Sequence, residues 1–141
     1  MKVQIFRGLN ILLLSLAGLT PSWAQDRSSV ITSEKHAFRL ATLVTGLENP
    51  WSVAFLPDGR MLVTERAGRM RLVGADFRVE PKVIEGLPEV AVRGQGGLFD
   101  VALHPQYAQN GWIYWAYNAP GAGGWGTALA RGKLQGQRMT E

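Results

Sequence analysis

Few residues in this chain have the types and spacing for chemistry, and one stretch concentrates them. Arg93-Gly94-Gln95-Gly96-Gly97 sets a single neutral amide among three glycines, just ahead of the apolar run Leu98-Phe99-Asp100-Val101-Ala102-Leu103. An amide offers both a donor and an acceptor. It can bond the oxygens of a ligand without adding charge. Glycines on each side let the backbone approach a flat ligand and take positive φ. The residues alone favour the plainer role, in which Gln95 satisfies a loop carbonyl.

The two histidines offer less. His36 has no second metal-type residue at a fixed spacing, and ligand sites need clustered donors, so it is expected at the surface. His104 stands in Leu103-His104-Pro105, a strand-to-turn corner where Pro105 fixes the backbone. It is not assigned as a base. Arg66, Arg69 and Arg71 lie close together with Glu65 beside them, which reads as a solvated strand edge rather than a phosphate patch. The chain has no cysteine. That excludes disulfides, thiolate metal sites and a cysteine nucleophile. Among the tryptophans, Trp51 and Trp112 open strand candidates and are expected to fill a core. Trp125 sits in the loop Pro120-Gly121-Ala122-Gly123-Gly124-Trp125-Gly126, where it could border a cleft.

The elements that must position these residues are short strands. Trp51 to Leu56, Met61 to Glu65 and Arg69 to Val73 are apolar runs separated by Pro57-Asp58-Gly59 and Ala67-Gly68. Asp-Gly between two apolar runs is a strong hairpin signal. No segment beyond residue 24 carries a helical apolar stripe, so an antiparallel all-β meander is expected. Ser52-Val53-Ala54-Phe55-Leu56-Pro57 also resembles Asp100-Val101-Ala102-Leu103-His104-Pro105, 48 residues later. A period of about 40–50 residues built from short strands is the signature of propeller blades. Closure takes at least four blades, and the chain holds material for about two. Thr127 to Leu134 reads as one more strand, and Gly136 to Glu141 follows with no closing element. The 141 residues are therefore expected to be the N-terminal piece of a longer protein, or a truncated product.

The first residues are not fold material. Lys2 and Arg7 precede the apolar run Leu9 to Leu19, and Ser22 and Ala24 bracket Trp23. That order is a secretory signal over residues 1–24, cleaved after Ala24. Its apolar run is too short for a spanning helix, and no second one follows, so no membrane span is expected after removal. Residues 25–37 read as a flexible N-terminal segment, and 38–141 as the propeller portion. Losing Lys2 and Arg7 from the formal +4 leaves +2. This is too weak to argue for nucleic acid.

Two strings carry a family resemblance. Gly46-Leu47-Glu48-Asn49-Pro50-Trp51-Ser52-Val53-Ala54-Phe55-Leu56-Pro57-Asp58-Gly59 leads to Leu62-Val63-Thr64-Glu65-Arg66. Gly94-Gln95-Gly96-Gly97-Leu98 then leads to Val101-Ala102-Leu103-His104-Pro105. In this order and separation they resemble the soluble aldose sugar dehydrogenases that use pyrroloquinoline quinone, in the glucose/sorbosone dehydrogenase family. The resemblance runs from about Phe38 to Leu134. It implies a six-bladed β-propeller, of which about the first two blades are present. It also implies a periplasmic or secreted enzyme with the quinone in a cleft on top and calcium ions supporting fold and cofactor. Aldoses would be oxidised at the anomeric carbon to lactones, and electrons would leave to an external acceptor other than oxygen.

By the same resemblance Gln95 lies at the cofactor pocket. The family's base is a histidine in a later string, His-x-Gly-Gly-Arg-Leu, which this chain lacks. No catalytic residue and no metal ligand is therefore assigned within residues 1–141. The implied chemistry is proton removal from the anomeric hydroxyl by that histidine, with hydride passing to C5 of the quinone. The alternative is a ligand-binding propeller that kept the blade strings but lost the redox site.

Overall fold

The computed structural model describes residues 29–141. The expected signal at residues 1–24 lies outside the described residues, as do residues 25–28. The chain divides into two units, the second spanning Thr42–Glu141.

The first unit contributes a hairpin. Strand β1 (Ser29–Thr32) pairs antiparallel with β2 (Ala37–Leu40). Ser33 closes its turn: its hydroxyl donates to the His36 carbonyl at 2.8 Å, and its oxygen accepts the His36 N–H at 3.2 Å. His36 is exposed in that turn. Residues 29–37, expected within a flexible segment, thus hold β1 and its turn.

The second unit is two four-stranded antiparallel meanders, each a propeller blade. The first runs β3 (Pro50–Phe55), β4 (Met61–Glu65), β5 (Arg69–Val73), β6 (Val79–Val83). The second runs β7 (Leu98–Leu103), β8 (Trp112–Gly121), β9 (Gly124–Gln135), β10 (Arg138–Thr140). Among the described residues the one helical element is a single turn, α1 (Tyr107–Asn110), ended by Gly111 at φ 68°.

The turn residues act as the sequence implies. Gly59 takes φ 86°, which a side chain disfavours. Asp58 accepts the Arg60 N–H at 3.1 Å and pairs with its guanidinium at 2.7 Å. Two strands of this unit, like β1 in the first, escape sequence reading. β6 contains Pro81 and lies at a sheet edge, where a missing N–H is tolerated. β10 has only three residues, yet Gly136 to Glu141 does contain this outer strand, paired with β9.

The repeat of 48 residues maps onto the first strand of each blade. Ala54 pairs with Leu62 in one, and Ala102 pairs with Tyr114 in the other. One apolar core joins the blades. Ala54, Leu62, Met70 and Leu72 from the first meet Leu98, Val101, Ile113 and Trp115 from the second. Trp115 is the tryptophan of that core. Gly132 makes room for it, since a Cβ there would lie 3.1 Å from the ring. Trp51 and Trp112, expected in the core, sit elsewhere. Trp51 is 46% exposed and touches Phe99, in the first strand of the second blade, edge-on at 5.6 Å. Trp112 is half-buried under Arg131 and Lys133.

Candidate functional site

The ends of four strands meet around Gln95. β3 and β7 begin there, β4 ends there and β8 passes it, because Pro50 pairs with Glu65 and Leu98 with Tyr117. Each blade builds this end the same way. Arg66 N–H donates to the Asn49 carbonyl at 3.0 Å, and Asn118 N–H donates to the Gly97 carbonyl at 2.8 Å. Gly46 and Gly94, 48 residues apart, both take positive φ, at 82° and 51°. Leu47 and Gln95 are therefore counterparts. Leu47 packs on Met61, Val63 and Val73. Gln95 is exposed, and its amide makes no hydrogen bond among the described residues.

The Gln95 loop hangs between the blades. From the first, the Arg66 guanidinium donates to the Gly94 carbonyl at 2.8 Å, and the Arg66 carbonyl accepts the Leu98 N–H at 3.1 Å. From the second, Asn118 Nδ2 donates to the Ala91 carbonyl at 2.9 Å, and the Asn118 carbonyl accepts the Ala91 N–H at 2.7 Å. Both glycines after Gln95 are required by this closeness. A Cβ at Gly96 would sit 2.7 Å from Asn118 Nδ2, and one at Gly97 would run into the Arg66 carbonyl. Thr64, fully buried, adds a further tie by donating its hydroxyl to the Phe99 carbonyl at 2.6 Å.

The surroundings are cationic and aromatic. Neither Arg66 nor Arg93 makes an ion pair with a carboxylate among the described residues. Arg93 instead lies over the Trp125 ring, 4.9 Å from its centre. An exposed neutral amide, two such cations and a planar ring suit a flat, oxygen-rich, anionic heterocycle such as a quinone carboxylate. Calcium is a different case. Among the described residues no group of three or more His, Cys, Asp or Glu could hold a metal ion.

Behind Arg66 lies a buried charge. Glu65 is 0% exposed. One carboxylate oxygen accepts the Glu48 N–H at 2.6 Å, and the other accepts Arg69 Nε at 2.6 Å. Arg71 stands 3.9 Å from it and donates to the Glu80 carbonyl at 3.0 Å. The Glu65 and Glu48 carboxylates hold the Arg69 guanidinium above its ordinary range. Glu65, Arg69 and Arg71 are thus not the solvated edge that spacing suggests. Val44 and Leu47 pack on Met61, Val63 and Val73 of β4 and β5. Glu65 fixes the backbone at Glu48, one residue before the carbonyl that receives Arg66.

His104 lies at the other end of β7, as its corner position implies. Its Nδ1 accepts the Gln106 N–H at 2.9 Å, and its ring stacks on Tyr114 at 6.1 Å. Sequence reasoning missed Arg66, Asn118 and Arg93. Their side chains reach partners far along the chain, 28 residues for Arg66 to Gly94 and 27 for Asn118 to Ala91, beyond any local pattern.

Comparison with known proteins returns one family. The family model described as Glucose / Sorbosone dehydrogenase matches residues 47–141, both blades and the Gln95 loop included. The aldose sugar dehydrogenase YliI of Escherichia coli (strain K12) is 38% identical over 109 residues, covering 76% of this chain and 29% of its own length. A crystal structure of a glucose dehydrogenase superposes with TM-score 0.62 at 44% identity, covering 67% of this chain and 28% of that one. A pyrroloquinoline-quinone-bound aldose sugar dehydrogenase from Streptomyces coelicolor superposes with TM-score 0.60 at 29% identity, covering 72% of this chain and 29% of that one. The chain thus spans under a third of the length of each.

Proposed function

The chain belongs to the glucose/sorbosone dehydrogenase family, and from that premise we propose that it is part of an exported quinoprotein oxidising aldoses at the anomeric carbon to lactones. The observation that carries this reading is the Gln95 loop. Gly96 and Gly97 leave no space for a Cβ, Arg66 and Asn118 hold the loop from both blades, and the amide is left exposed without a partner. A loop held this firmly around an unused amide is suited to present that amide to a ligand.

Pyrroloquinoline quinone, when bound, supplies the two-electron acceptor. Gln95 would hold it or the sugar by hydrogen bonds to their oxygens, donating from Nε2 and accepting at Oε1. Arg66 would keep Gln95 in place through Gly94. Arg93 would add positive charge beside an anionic cofactor. The proton acceptor for the anomeric hydroxyl is proposed to lie outside residues 1–141, as is calcium. His104 is occupied in its turn, at the far end of β7.

The test is reconstitution of the complete gene product with the quinone, followed by reduction of an artificial acceptor dye with glucose. Quinone-dependent formation of the lactone is expected. Gln95→Ala should weaken cofactor or sugar binding about three- to tenfold, the worth of one hydrogen bond. No quinone-dependent turnover of any aldose would remove this reading.

A further inference from the structure

Glu65 is a buried carboxylate that the blade architecture does not itself require. Pro50 pairs with Glu65 in the first blade, and Leu98 pairs with Tyr117 in the second. Tyr117 is therefore its counterpart, and it packs on the shared core as an uncharged ring. The same strand end is built once with a charge and once without. Burying a charge is costly unless it is paired and hydrogen-bonded. A charge kept in one blade alone points to a task that this blade alone performs.

That task is to send Arg66 across to the Gln95 loop. The path from Glu65 to the loop is continuous. Glu65 accepts the Glu48 N–H at 2.6 Å. In the second blade the corresponding N–H, of Gly96, is satisfied inside its own turn by the Arg93 carbonyl at 2.6 Å. Asn49 comes next and takes φ 48°, a left-handed conformation that side chains disfavour. Its carbonyl accepts the Arg66 N–H at 3.0 Å. Arg66 then holds the loop on both sides of Gln95, at Gly94 and at Leu98. Glu65 also divides the three neighbouring arginines. It binds Arg69 at 2.6 Å and stands 3.9 Å from Arg71. Arg66 makes no ion pair among the described residues, which leaves its guanidinium for the Gly94 carbonyl.

We propose that Glu65 is a positioning residue for the cofactor site, acting through Glu48, Asn49 and Arg66 to set where the Gln95 amide stands. This rests on the reading of the Gln95 loop as the quinone site. It adds that a side chain with no exposed surface, out of reach of any ligand, governs quinone affinity.

The test separates the acceptor from the charge, on the complete gene product. Glu65→Leu with Arg69→Met replaces the ion pair by apolar groups of similar size, a change that often leaves stability unaltered. It removes the acceptor of the Glu48 N–H. Glu65→Gln with Arg69→Met restores a neutral acceptor, so the two double variants differ in that acceptor alone. The Leu–Met variant should bind the quinone about three- to tenfold more weakly, the worth of one hydrogen bond. The Gln–Met variant should stay within about twofold of the unaltered protein. Hydrogen exchange reads the same path without quinone. The Leu98 amide, bonded to the Arg66 carbonyl, should exchange faster in the Leu–Met variant relative to the amides of β8. Full quinone affinity in the Leu–Met variant, or Leu98 and β8 exchanging faster by the same factor, would overturn the proposal. If the Leu–Met variant does not fold, the Gln–Met variant decides: a loss of threefold or more would assign the role to the charge and overturn it. If the unaltered protein binds no quinone, the cofactor reading fails by itself, and the Leu98 exchange still tests the path.

Discussion

Arg66 holds the Gln95 loop from the neighbouring blade, through its side chain to Gly94 and its carbonyl to Leu98. Arg66→Ala should therefore weaken quinone binding without touching Gln95, by about three- to tenfold, with Arg66→Lys intermediate because it offers a flexible point charge rather than a planar fork. Equilibrium binding of the quinone to the apoprotein checks this, and an unchanged affinity would refute it. Gly97→Ala is a harsher change, since its Cβ meets the Arg66 carbonyl. It should cost about 1–3 kcal/mol in urea unfolding, the usual penalty of overpacking. Of these residues only Gln95 stood out in the sequence, because a lone amide between glycines is conspicuous by composition. Arg66 looked like one of three clustered arginines. Only the packing of one blade on the next gives it a different partner from Arg69 and Arg71.

The hairpins were the most legible elements. Asp58-Gly59 marks its turn by residue type alone, and the turn forms as expected. Gly59→Ala should destabilise by about 1 kcal/mol, because φ 86° forces a side chain into the left-handed region. A thermal midpoint unchanged by that substitution would contradict the assignment. The Asp58 carboxyl is held below its ordinary value, first by the hydrogen bond from the Arg60 side chain. Its pKa falls on folding, so its contribution is present above the unfolded carboxylate range and fades as pH drops through the folded value. Both groups are exposed and the effect is small. Asp58→Asn should flatten the acid side of the stability profile, and an unaltered profile would count against it. Edge strands β6 and β10 were not legible, since Pro81 and a three-residue length erase the pattern that announces a strand.

The two blades share one core, so they are expected to lose structure together. Ile113 is fully buried among residues of both. Ile113→Ala should cost about 2–5 kcal/mol, and hydrogen exchange should show amides in β4 and β8 losing protection in step. Protection lost in β8 alone would mean that the blades are independent. Glu65 belongs to the same scale, because it ties β4, β5 and the approach to β3 through one carboxylate. Glu65→Ala leaves Arg69 Nε and the Glu48 N–H without their acceptor, and should cost about 3 kcal/mol, read by denaturant midpoint.

The pairing of Leu47 with Gln95 has a historical side. If the blades descend from one duplicated unit, the same backbone position was inherited twice under different obligations. In the first blade, contact with Met61, Val63 and Val73 ties the residue to an apolar role. In the second, the turn survives without that contact, so the position is released from the demands of folding. A duplicated module can then acquire a working surface without redesigning its scaffold. The spare copy of a rivet hole becomes the place where a new tool is mounted.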